Sequence, residues 1–108
     1  MDCKIIWSSK ARNDLRGLYE YYSERNRGAA NRMITEIGTR IQQLTKNPEI
    51  AAKEQQLSDY EKEYRSLVVL KGNYKVIFYF ENKIIYISRI WNCRQNPKNY
   101  VRKIVGQW

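Results

Sequence analysis

Four residues offer this chain its chemistry: Arg65, Lys75, Arg94 and Tyr100. There is no histidine, no CxxC pair, no HExxH, no Gly-rich phosphate loop and no Ser-His-Asp set. Zinc binding and imidazole acid–base catalysis are therefore excluded. Tyrosine, lysine and carboxylates remain to move protons, and arginine to hold negative charge. That set suits RNA cleavage, in which a ribose 2′-hydroxyl attacks its own 3′-phosphate. Guanidinium forks would hold the charge that builds on the phosphate. A Tyr or Lys would take the 2′-proton and another would protonate the departing 5′-oxygen. Free Tyr and Lys titrate near ~10 and ~10.4, and crowded positive charge would lower both values. The expectation is a slow intrinsic reaction, accelerated when a partner aligns the RNA, with no metal and no cofactor.

The charge distribution points to an anionic partner. The 108 residues carry 20 Lys and Arg against 11 Asp and Glu, a net charge of +9 with a pI near 9.7. All eleven acids lie at or before Glu81, and residues 82–108 hold six cations and no acid. Within "RIWNCRQNPKNYVRK" (89–103), Arg89, Lys98, Arg102 and Lys103 flank Arg94 and are expected to contact RNA or the ribosome.

These residues need elements to hold them. "CKIIW" (3–7) reads as a first strand, after which Ser8 or Ser9 caps a helix. Ala11, Leu15, Leu18 and Tyr22 fall on one face of that helix, and Gly28 is expected to stop it. A second helix follows over about 29–46, with Ala30, Met33, Ile34, Ile37, Ile41 and Leu44 inward, ended by Asn47-Pro48. Residues 48–63 show no period and read as a loop with at most one helical turn. The period then becomes two. "YRSLVVL" (64–70), "YKVIFYF" (74–80) and "IIYISRIW" (84–91) form an antiparallel meander, with turns at 71–73 and 81–83. Asn96-Pro97 opens a short terminal helix carrying Tyr100.

The order β-α-α-β-β-β-(α) is an α+β fold in one domain over 1–108: a two-helix hairpin on one face of a small, mainly antiparallel sheet. Two helices cover one face, so the other is expected to be concave and partly open. Alternation places Lys75 and Tyr79 there, within reach of Arg65. Cys3 and Cys93 are expected as free, buried thiols, and Trp7 and Trp91 as core. No run of about 18 apolar residues occurs, and "MDCKIIWSSK" is not a signal peptide, so a cytoplasmic protein without membrane contact is expected.

The strand, the "ARNDL" helix (11–15), the helix ending at Asn47-Pro48, "YRSLVV" (64–69), "NYKVIFYF" (73–80) and "ISRIWNCRQNP" (87–97) together resemble the RelE/ParE superfamily of bacterial toxins, also called plasmid stabilization proteins. The resemblance spans nearly the whole chain. It implies the toxin half of a type II toxin–antitoxin pair, with an acidic antitoxin that neutralises the basic face. Two activities are implied. RelE-like members cut mRNA on the ribosome, whereas ParE-like members poison DNA gyrase without a nuclease site. The resemblance carries RelE-like roles onto Arg65, where those toxins have lysine, and onto Lys75, where they have arginine. It also carries them onto Arg94 and Tyr100, six positions apart. Leu67 stands where RelE-like toxins carry another lysine. The expectation is a ribosome-dependent mRNA endonuclease, with gyrase inhibition as the alternative.

Overall fold

A computed structural model describes residues 3–54 and 62–94. Strand β1 (Lys4–Trp7) leads into helices α1 (Ser9–Arg25) and α2 (Arg27–Lys46). Strands β2 (Ala52–Lys53), β3 (Tyr64–Val69), β4 (Tyr74–Glu81) and β5 (Ile84–Asn92) follow. The five strands are ordered β1-β5-β4-β3-β2. β1 runs parallel to β5 and the other pairings are antiparallel. The expected meander and helical hairpin are present. β2, inside the segment read as a loop, adds a fifth strand after a single helical turn at Pro48–Ile50.

Local side chains set the element boundaries. Ser8 is extended, and its Oγ accepts from the Ala11 N–H at 3.0 Å, which starts α1. α1 stops at Arg25, before the expected Gly28, because Asn26 serves both helices. Its backbone N–H closes α1 onto Tyr22 O, and its side chain accepts from Ala29 N to open α2. Gly28 therefore falls in the first turn of α2. The inward face of α2 is Ala30, Met33, Ile37, Ile41 and Leu44, while Ile34 turns out to solvent. Asn82 and Lys83 take φ of 53° and 62° between β4 and β5, a two-residue hairpin whose twist matches its strands.

The sheet buries both of its faces. The helix side packs Leu18, Ile37, Leu44, Val76, Phe78, Ile87 and Ile90 into one cluster, with Trp7 half-buried against it. The opposite face, expected to be concave and partly open for want of a covering helix, carries a core of its own. Tyr64, Ile77, Tyr79 and Trp91 form a second buried cluster. Aromatic rings shelter one another there: Tyr79 stacks on Tyr86 at 4.8 Å and meets the Tyr64 edge at 5.6 Å. Tyr79 is thus a core residue.

One extra residue decides what β5 shows to each face. Ile77 pairs with Arg89 but Phe78 pairs with Ile87, so Ser88 is a β-bulge. Ile87 and Ile90 both enter the helix-side core, and Arg89 and Trp91 move to the other side. Ser8 Oγ donates to the Ser88 carbonyl at 2.7 Å, so one buried hydroxyl both starts α1 and holds the bulge. Ser8→Ala should lower the unfolding free energy by about 1–2 kcal/mol, measured by urea denaturation, with Ser8→Thr retaining most of it.

Candidate functional site

The register of β3 and β4 separates two of the expected catalytic cations. Arg65 lies opposite Phe78, on the helix-covered face. Its Nη1 donates to Ala51 O at 2.7 Å, and its Nη2 meets Glu63 at 3.4 Å. Lys75 lies opposite Val68 and Trp91, on the other face. Its Nζ donates to Glu54 Oε2 at 2.7 Å. Both side chains of this pair are mostly buried, at 20% and 9% exposure, so the attraction is less screened than at a surface. The sheet itself therefore stands between Arg65 and Lys75.

Arg89, read as an RNA contact, is also committed. Its Nε and Nη2 donate to the two Asp14 oxygens at 2.8 and 2.9 Å, and Asp14 also accepts from Ile90 N at 2.9 Å. Sequence reading missed both carboxylates, Asp14 and Glu54. A signal for Asp14 existed: it sits three residues after Ala11 and four before Leu18, on the flank of the buried helix face. Arg94 follows β5 and is exposed, and no carboxylate among the described residues lies within ion-pair distance. Tyr100, Lys98, Arg102, Lys103 and the expected terminal helix lie outside the described residues. Both cysteines are free, but Cys93 is exposed and Cys3 half-buried.

Three phenols are shifted away from the lowered pKa that base catalysis needs. Burial pushes Tyr64, Tyr74 and Tyr79 above the ordinary tyrosine value. Arg94 opposes this at Tyr74, and Lys62 at Tyr64 and Tyr79, without reversing it. At neutral pH these three are hydrogen-bond donors rather than bases.

A cleft of about 470 Å³ runs between α1 and the end of β5. Gly17, Leu18 and Tyr21 of α1 line it on one side and Ile90, Asn92 and Arg94 on the other, and Tyr74 lines it as well. The Asp14–Arg89 pair closes one end. A smaller hollow of about 210 Å³ shares Tyr21, Tyr74 and Arg94 and adds Arg25, whose guanidinium lies 4.5 Å from the Tyr21 ring centre.

Residues 5–97 match the sequence pattern of the "ParE toxin of type II toxin-antitoxin system, parDE". The chain belongs to the ParE toxin family. Among solved structures it is similar to one titled "Chromosomal ParDE TA system from P. aeruginosa". That likeness has a TM-score of 0.67 at 22% identity, over 83% of this chain and 95% of the other, and it shows a shared fold. No curated protein sequence matches this one. As a ParE-family toxin it has an antitoxin as partner. Among its described residues no helix is long and apolar enough to cross a membrane.

The raised tyrosines make a pH prediction for this toxin. In the fold the phenols of Tyr64 and Tyr79 hold their protons above the unfolded value near ~10, so the unfolded chain ionises first. Their contribution to stability is full below that pH and is lost as pH rises through the folded-state values. Urea midpoints should fall above pH ~10, and less steeply in Tyr79→Phe than in the parent.

Proposed function

We propose that this toxin acts by binding DNA gyrase, a ParE-type inhibition, and that it does not cut mRNA. The observation that carries the reading is the separation and pairing of the cations. Phosphoryl transfer without a metal needs several cations converging on one phosphate. Arg65 and Lys75 are on opposite faces, and Lys75 and Arg89 hold carboxylates. Recruiting Lys75 or Arg89 to RNA would leave Glu54 or Asp14 as a largely buried carboxylate without that partner, which is costly. The exchange of Arg and Lys types at positions 65 and 75, and Leu67 in place of a lysine, agree with this reading.

Inhibition by binding asks only for a surface of the right shape and charge. The +9 chain keeps exposed cations after its internal pairs are formed, Arg25 and Arg94 among them. No bond of the target is broken by the toxin itself in this account, and its place of action is the cytoplasm, where gyrase works.

The test pairs two assays. Purified toxin added to gyrase and relaxed plasmid should block supercoiling. Primer extension on a translated mRNA shortly after induction should show unchanged 5′ ends. New 5′ ends within codons, absent from an Arg94→Ala control, together with unimpaired supercoiling, would overturn the proposal in favour of a ribosome-dependent nuclease.

A further inference from the structure

Two arginines far apart in sequence, Arg25 at the end of α1 and Arg94 just after β5, line the same hollow of about 210 Å³. Each is held in place. The ring centre of Tyr21 lies 4.5 Å from the Arg25 guanidinium. On the strand side Tyr74 pairs with Asn92, and Cys93 N donates to Asn73 O at 2.9 Å, which ties the backbone before Arg94 beside the start of β4. Neither arginine meets a carboxylate within ion-pair distance among the described residues.

The other side chains of the lining are hydrogen-bonding groups rather than acids. Burial and the neighbouring phenols of Tyr22 and Tyr21 raise Tyr74 more than Arg94 lowers it, so its phenol keeps a proton to donate at neutral pH. Asn92 Oδ1 already accepts from the Arg94 N–H at 2.9 Å, which leaves that carboxamide its NH2 group to offer. The carbonyl end of α1 sets about half a negative charge nearby, against two full positive charges. A hollow with a positive surplus, several donors and no acid selects an oxyanion.

The number of cations states which oxyanion. A carboxylate or a phosphodiester brings a single negative charge. A phosphomonoester brings about −1.5 to −2 at pH 7, with three acceptor oxygens that guanidinium forks fit. The hollow shares Tyr21, Tyr74, Asn92 and Arg94 with the larger cleft, so a phosphate seated in it has space beside it for the group it esterifies. A nucleobase finds no open platform, because the Tyr21 ring has Arg25 over it and Tyr22 at right angles to it at 5.6 Å. Recognition rests on the phosphate.

We propose that this hollow binds the phosphate group of a small phosphomonoester, with Arg25 and Arg94 on its oxygens and the Tyr74 phenol donating to it. No bond is made or broken there. The assignment holds whether the toxin's target is gyrase or the ribosome.

The experiment is calorimetric titration of the purified full-length toxin. The probes are inorganic phosphate, adenosine 5′-monophosphate, adenosine, and a dinucleotide with one internal diester and no terminal phosphate. Inorganic phosphate and the monophosphate should bind saturably and compete for one site. Adenosine should not bind, and the dinucleotide should bind about tenfold more weakly than the monophosphate, or worse. Arg25→Gln and Arg94→Gln should each weaken phosphate binding by about tenfold or more. Tyr74→Phe should weaken it by about threefold. Both arginines are exposed, so their variants should keep the parent's thermal midpoint in the absence of ligand. Phosphate affinity within twofold of the parent in both arginine variants would overturn the proposal. So would the absence of saturable binding at millimolar phosphate. A dinucleotide that binds as tightly as the monophosphate would assign the two arginines to a nucleic-acid backbone and overturn it equally.

Discussion

The carboxylate of Asp14 is the contact on which the arrangement of this protein depends. The pairing of β1 with β5 ends at Trp7 and Ile87, because the chain turns into α1 at Ser8. Beyond that point β5 would be an uncovered sheet edge, with backbone N–H groups open to any passing strand. α1 lies along it instead, and Asp14 accepts from Ile90 N and from two nitrogens of Arg89. Three charge-assisted bonds on one carboxylate fix the helix against the strand. The same contact closes one end of the cleft and keeps Arg89 out of solution chemistry. The bulge at Ser88 lies next to this contact and sets Ile90 toward the helix-side core and Trp91 toward the other face.

Much of the fold was legible because it follows from local periods. The apolar spacing of α1 and α2, the change to alternation at Tyr64 and the turn residues at Asn82 and Lys83 each depend on near neighbours in sequence. The misreadings have non-local causes. β2 is two residues long and exists through its pairing with Arg65 and Ser66. Asn26 could not be told from an ordinary polar residue until both helices claimed it. Two helices cover only one face, which led to the expectation of a partly open second face, but four aromatic side chains and Ile77 pack on it.

The candidate site was harder to read for an electrostatic reason. Charges pair through space, and residues 82–108 are acid-free only along the chain. Asp14 reaches Arg89 across 75 positions, and Glu54 reaches Lys75 across 21. Within that stretch Arg89 is the cationic half of an internal ion pair rather than uncompensated surface charge. What survives as surface charge is a smaller set, with Arg25 from α1 joining Arg94 from the end of β5. A fold can host more than one activity, so the proposed function rests on these particular side chains and their partners rather than on the scaffold.

The most direct test of that claim removes one internal pair without leaving either charge alone. Glu54→Gln combined with Lys75→Met keeps the volume and the lysine stem while deleting both charges. If Lys75 serves the fold and not a phosphate, as the proposed function requires, the folded double variant should arrest bacterial growth on induction as the parent does. Loss of growth arrest in a double variant that still melts cooperatively would contradict the account and return Lys75 to the active surface.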